Sequence, residues 1–296
     1  MKSVLLLAYG SPDKLSDVPE YLGHIYEGRP VPDYAMKENT EKYAMHGGRS
    51  PSNEIIRSIA LKLQHALPET FTVHLGFKHW HPFIGEVLSD VKNEGPDEII
   101  AIPLFPFPSN NVEKSYIDPL KESLDHYGIN SPLRTINGFD VGSLSKIWAS
   151  IIGKPEFDPS DYALTFDAHS LPTFRGQENE YDASFKKMAS EIASILGIPE
   201  FFTGYQSIGK YGSSWLRPSL YDILPDIQRK GYSGVFAVPI GFIYEHLEVL
   251  YDLDYEFGGY VKEKGLKYAR SSLINDNDRF IEFLSSLILR KYNDQA

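Results

Sequence analysis

The 296-residue chain predicts an α/β protein made of two similar doubly wound halves. Three observations point there. Short apolar runs of strand length alternate with stretches whose apolar residues fall at helical spacing. Near the middle, IIGKPEFDPSD at 151–161 carries two prolines and no periodicity, which marks a boundary. The length is also about twice that of a common domain.

The elements follow in order. SVLLLAYG (3–10) reads as a strand, SNEIIRSIALKLQHAL (52–67) as a helix and FTVHLGF (71–77) as a strand. HPFIGEVLSDVKNEG (81–95) follows as a helix, EIIAIPLF (98–105) as a strand, NNVEKSYIDPLKESLDHYG (110–128) as a helix and LRTINGF (133–139) as a strand. The second half repeats the rhythm. Its strands are YALTFDAHS (162–170), FFTGYQS (201–207) and SGVFAVPIGF (233–242). Its helices are 178–197, 218–231 and the segment from Tyr244 to Phe257. A last helix, 276–292, can be capped by Asp276 or Asn277. The first half is therefore expected over 1–150, completed by the helix 276–292, and the second over 151–275.

Composition removes several function classes. A net charge of −11 with no run of Lys or Arg argues against nucleic acid and anionic lipid. There is no cysteine, so disulfides, thiolate catalysis, iron–sulfur clusters and cysteine zinc sites are excluded. Metal chemistry must use His, Asp, Glu or Tyr. The N-terminal apolar run is too short for a signal peptide, and no stretch reaches the length of a membrane span. A soluble cytoplasmic protein is expected. No heptad or exposed apolar repeat is evident, so a monomer is the default. The 19 Tyr and 17 Phe suit both a core and a cleft for a large flat ligand.

In doubly wound folds ligands bind beyond the carboxyl ends of the strands. Four features stand there. Tyr9 leaves the first strand before Gly10 and Pro12. LTFDAHSLP runs an apolar strand into His169. FFTGYQSIGKYGSSWLRPSL ends a strand in a Gly- and Ser-rich loop with Trp215 and Arg217. FAVPIGFIYEHLE ends at Pro239 and Gly241, just before an acidic segment. No phosphate-loop, dinucleotide or Gly-x-Ser-x-Gly pattern occurs. Taken singly, His169 and Trp215 are better explained by packing than by chemistry, and Tyr9 is consistent with a core residue whose hydroxyl is satisfied.

The acids are harder to dismiss. From Val238 to Phe257 there is no Lys or Arg, yet Glu248, Asp252, Asp254 and Glu256 stand among Val, Leu and Tyr. On an α-helix Glu248, Asp252 and Glu256 fall within about 80° of one another. Like charges at i and i+4 repel. Such a row is either a solvated face or a path for cations.

AHSLP (168–172), YQS with WLRP (205–218) and PIGFIYEHLEVLYDLDYE (239–256) resemble ferrochelatase, which inserts ferrous iron into a porphyrin. GGRSP (47–51), GFKHWHPF (76–83), PLFPFPS (103–109) and LLLAYGSP add to it, in the family's order across nearly the whole chain. The resemblance implies two Rossmann-like halves with parallel four-stranded sheets and a central porphyrin cleft. It implies His169 and Glu248 as the catalytic pair, facing each other across the macrocycle. Metallation removes two pyrrole protons and delivers a dehydrated divalent cation, and either group can accept a proton or ligate iron. His169, Glu248, Asp252 and Glu256 would carry the metal. Iron is then a substrate and no permanent cofactor is implied; the partners are porphyrin and ferrous iron.

Tyr9 matches the position that ligates product iron axially in the coproporphyrin-using branch. Lys42, Tyr43, Ser50 and Tyr116 match macrocycle contacts in that branch; His79 matches a cleft histidine and Trp215 belongs to the porphyrin-binding set. Coproporphyrin III is therefore favoured over protoporphyrin IX. One departure stands out: Tyr26 and Glu27 occupy the place of that branch's adjacent arginines. Arg29, Lys42, Arg49 and Arg217 are the cations available instead. The rival readings are a sirohydrochlorin cobalt or nickel chelatase and a non-catalytic porphyrin or haem carrier. The first would bring more histidines to the metal, and the second has no use for an acidic row.

Overall fold

The computed structural model describes residues 1–152, 158–173, 179–209 and 214–293. Residues 153–157 of the expected boundary, 178 of the expected helix start and 210–213 of the Gly- and Ser-rich loop lie outside the described residues. The chain divides into two compact units: 1–104 with 111–137 and 275–296, and 105–110 with 138–274.

In the first unit β1 (Lys2–Ala8) is followed by α1 (Val18–Ile25), α2 (Asp33–Met45), α3 (Ser52–Ala66) and β2 (Phe71–Phe77). Then come α4 (Leu88–Glu94), β3 (Glu98–Pro103), α5 (Asn110–Tyr127) and β4 (Leu133–Thr135). All strand pairs are parallel, in the order β2-β1-β3-β4. β1 is buried from Ser3 to Ala8, as a central parallel strand covered on both faces must be.

The second unit contains α6 (Val141–Ile152), β5 (Tyr162–His169), α7 (Asn179–Leu196), β6 (Phe202–Gln206), α8 (Leu220–Arg229) and β7 (Gly234–Val238). A π-helix (Val249–Phe257), α9 (Gly258–Glu263) and β8 (Lys267–Arg270) complete it. Its sheet is again all parallel, in the order β6-β5-β7-β8. The last helix, α10 (Asp278–Asn293), packs on α3 of the first unit, where Lys62 bonds Asp278 at 2.9 Å.

The two sheets share one strand order, 2-1-3-4 within each unit. In such an order the crevice opens at the carboxyl ends of the first and third strands. Tyr9 follows β1 and His169 ends β5, so each unit presents a candidate residue at the same topological place.

Several expectations need correction. Residues 138–150 belong with the second unit, because α6 packs its apolar face (Leu144, Ile147, Trp148, Ile152) against α7. The helix expected from residue 81 begins only at Leu88. Before it the chain folds back on β2, with Phe77 N–H donating to Pro82 O and Ile84 N–H to Phe77 O. α1, α2, α6, α9 and β8 were not expected. α2 buries only Ala35 and Tyr43, and β8 is a four-residue edge strand, so neither carries a strong apolar period.

Candidate active site

In the first unit the turn after β1 is made by Gly10. Its φ is +83°, and a Cβ there would lie 2.8 Å from Trp80 Cβ. Tyr9 stands on the lip of that turn, 41% exposed. The chain leaving β2 continues the ladder past the strand: Lys78 N–H donates to Ala8 O and His79 N–H to Tyr9 O, both at 2.9 Å. The Tyr9 and His79 rings are 4.6 Å apart between centroids. Burial, then the Lys78 charge, holds the His79 imidazole neutral, with its pKa pushed down to about 4. Lys78 Nζ lies 5.7 Å from the Tyr116 ring centre, so Tyr9, Lys78, His79 and Tyr116 form one face at the carboxyl end of the sheet.

The other first-unit residues predicted from sequence lie on α2 and just before α3. Tyr43 is buried on α2, edge-on to Tyr21. Ser50 is buried before α3, with its hydroxyl bonded to Ser52 Oγ at 3.0 Å. Ser52 in turn meets Ser11, which ties the β1 turn to α3. Lys42 Nζ lies 3.4 Å from Glu38.

In the second unit β5 carries His169 to its carboxyl end, in register with Gln206 of β6. His169 Nδ1 lies 2.5 Å from Ser170 O. A carbonyl can only accept, so Nδ1 carries a proton toward Ser170 O and Nε2 is the ring nitrogen left to take up a proton or a metal. Tyr181 donates to His169 O at 2.9 Å and steadies the same turn. Behind it Asp167 is fully buried, its carboxyl without a hydrogen-bond partner among the described residues, and burial raises its pKa well above the carboxylate range.

The loop after β7 packs directly on β5. Gly241 N–H donates to Asp167 O at 3.0 Å, and a Cβ on Gly241 would come within 2.5 Å of Ala168. That close approach brings His246 into the fields of both His169 and Glu248. Burial pushes His246 down to about 4, so it is neutral. Glu248 is exposed at the entry to the π-helix.

The segment expected as an α-helix is thus a π-helix over nine residues. Its i→i+5 bonding gives a wider turn than the α-helix, which redistributes the acids around the axis. Asp252 and Glu256 line a cavity of about 320 Å³ together with Gln206, Ser207, Ser219 and Tyr221; Glu248 is not part of that lining. Ser207 donates to Asp252 through a short hydrogen bond. Both amide atoms of Gln206 are buried without a hydrogen-bond partner among the described residues. Tyr221 is pushed up to about 12 by burial and by the Glu256 and Asp252 charges. A cation with six waters occupies roughly 180 Å³ at ~30 Å³ per water, so the cavity admits a hydrated ion. Among the described residues no three His, Asp or Glu groups are gathered tightly enough to hold one ion. Trp215 is half-buried and bridged to Pro172, outside that lining.

Sequence reasoning missed the partner of Asp254. Arg270 on β8 donates to both Asp254 oxygens and to both Glu245 oxygens, and so is shared by two acids of the lysine-free segment. Its signal lay outside the motif. His246 was also passed over, although it sits inside the YEHLE stretch.

Two parallel α/β units of identical strand order, with His169 at one strand end and carboxylates on the π-helix of the same unit, fit an enzyme of the chelatase class. The ferrochelatase family profile matches residues 1–292, and the chain belongs to that family. A ferrochelatase from Thermoplasma acidophilum is 43% identical over 286 residues, covering 96% of this chain and 89% of that protein. A coproporphyrin III ferrochelatase 1 from Bacillus cereus is 32% identical, covering 97% of this chain and 96% of that protein. In fold the chain resembles a sirohydrochlorin chelatase from Bacillus subtilis subspecies spizizenii, solved in complex with cobalt. The TM-score is 0.61 at 10% identity, over 96% of this chain and 92% of that one. The protein is a metal-inserting lyase of haem biosynthesis, with porphyrin and iron as its substrates. Among the described residues no helix is long and apolar enough to cross a membrane.

Proposed function

We propose that the porphyrin is coproporphyrin III and that His169 and Glu248 carry out its metallation. The free porphyrin loses two pyrrole protons as Fe²⁺ enters, so one ferrous ion is taken up and two protons are released. The observation that carries the reading is His169, whose Nδ1 is occupied by a carbonyl so that Nε2 is the proton acceptor or iron ligand. His246, neutral and coupled to both members of the pair, is suited to pass a proton between them.

Asp252 and Glu256 act as the metal-delivery end of the relay, with Glu248 as its exit toward the macrocycle. Ion-by-ion transfer through single carboxylates suits a site where no three such groups are gathered among the described residues, since a tight cage would retain the metal. Tyr9 is the axial ligand of the product iron, while His79 and Tyr116 contact the macrocycle beside it. Lys42 and Trp215 are further contacts, and Tyr43 and Ser50 hold α2 and α3 in place. Iron is the substrate, and with no cysteine in the chain no cysteine-ligated cluster is needed.

The test is an anaerobic absorbance assay with Fe²⁺ and coproporphyrin III, protoporphyrin IX or sirohydrochlorin. Turnover highest with coproporphyrin III supports the reading; preference for either other tetrapyrrole overturns it. Glu248→Gln should abolish metallation while porphyrin still binds, and full activity in that variant removes Glu248 from the pair.

A further inference from the structure

A tetrapyrrole with four carboxylates needs cationic partners, yet the four cations singled out in the sequence are already engaged. Arg29 meets Glu27 at 3.4 Å, Lys42 meets Glu38 at 3.4 Å, Arg49 meets Glu54 at 2.5 Å and Arg217 meets Asp222 at 3.0 Å.

Lys78 differs from all four. It is half-buried, and its Nζ has no ion-pair or hydrogen-bond partner among the described residues. The chain holds 40 Asp and Glu against 29 Lys and Arg, so the lack of a counter-ion is not a shortage of acids. Glu27 acts on it through space, but that carboxylate is paired with Arg29. The adjoining His79 ring is neutral and brings no negative charge. Burial disfavours the ammonium form and lowers the Lys78 pKa. A desolvated charge without a partner costs free energy, and an arriving anion offsets that cost.

The surroundings say which anion. The Lys78 main chain is fixed to β1 through Ala8 O, and its ammonium stands over the Tyr116 ring. Tyr9 and His79, 4.6 Å apart, continue the same face. An aromatic wall with one uncompensated ammonium at its edge fits a flat apolar ring that bears a flexible carboxylate. The compact ammonium on a four-carbon stem suits a mobile propionate better than a rigid bidentate fork would.

We propose that Lys78 anchors a carboxylate of the porphyrin substrate. The inference rests on the porphyrin reading above and names a group that holds one of the substrate's carboxylates.

The experiment is a metal-free fluorescence titration of wild type, Lys78→Met and Lys78→Arg with coproporphyrin III and with its tetramethyl ester in detergent. Lys78→Met should weaken coproporphyrin III binding roughly ten- to a hundredfold, the worth of one hydrogen-bonded ion contact. Lys78→Arg should restore most of the loss, and the ester should bind wild type and Lys78→Met alike. Melting curves taken alongside should show Lys78→Met at least as stable as wild type, since it removes an uncompensated charge. If Lys78→Met binds coproporphyrin III as wild type does, Lys78 is not the anchor although the porphyrin reading stands. An equal loss with acid and ester overturns the carboxylate contact. If wild type itself binds neither compound, the substrate reading fails and the anchor fails with it.

Discussion

Arg270 and Asp254 meet edge to edge, with Nε and Nη2 of the guanidinium donating to the two carboxylate oxygens at 2.8 and 2.9 Å. Through Nη1 the same guanidinium holds Glu245 at 2.9 Å and Ser271 O at 2.9 Å. One half-buried residue thereby ties the loop before Glu248 to the middle of the π-helix.

Arg270→Ala should lower the unfolding free energy by about 3 kcal/mol, the lower end for breaking a buried ion pair, because Asp254 is a third exposed. Lysine cannot reproduce the paired donors, so Arg270→Lys should recover only part of the loss. Equilibrium urea unfolding measures both. A change under about 1 kcal/mol for Arg270→Ala would make the clamp no stronger than a surface pair.

Gly241→Ala forces a Cβ to within 2.5 Å of Ala168, on the strand that carries His169. The loop must retreat, at a cost of about 1–3 kcal/mol for overpacking. Retreat also shifts Glu248 relative to His169, and kcat should fall by roughly a hundredfold. Melting temperature and kcat together check this; an unchanged kcat would show that the loop's close approach does not set the catalytic geometry.

His79 is neutral when folded, with a pKa of about 4, and recovers an ordinary value near 6.5 when unfolded. Between those two values the unfolded chain binds the extra proton, so stability rises with pH there and is complete above about 6.5. As pH falls toward 4 the contribution is lost. His79→Gln should flatten the pH dependence of urea unfolding across this window, by at most about 1.4 kcal/mol per pH unit. An unaltered slope would mean that the imidazole is not desolvated.

Asp252 and Asp254 are two residues apart and should respond differently. Asp252 lines the cavity and Asp254 is held by Arg270. Asp252→Asn should raise the metal KM by roughly tenfold with porphyrin affinity and stability little changed. Asp254→Asn should act mainly on stability. Steady-state kinetics at varied Fe²⁺, with urea unfolding alongside, separates them; the same phenotype for both would remove the division of labour.

The strand-end residues were legible because the signal is local. An apolar run such as LTFDAHS must exit the sheet where its polar residues begin, and that exit holds His169. The π-helix was not legible. Its sequence has a good apolar period for an α-helix, and only tertiary packing decides whether the bonds run to i+4 or i+5. β8 escaped notice because an edge strand of four partly exposed residues has no apolar run to betray it.

By itself the sequence determined the parallel α/β class, the absence of thiol chemistry, the place of Tyr9 and His169 at strand ends and a carboxylate row without neighbouring cations. These are properties of composition and short-range period, which survive without knowledge of contacts. Tertiary structure decided which partners three of these acids take. Asp254 and Glu245 take Arg270 from β8, Asp252 takes Ser207 from the end of β6, and Arg29, Lys42, Arg49 and Arg217 are claimed by carboxylates near them in the chain. Charge pairing falls off with distance and depends on burial, so which of several nearby partners an acid or cation meets is settled only by the folded backbone.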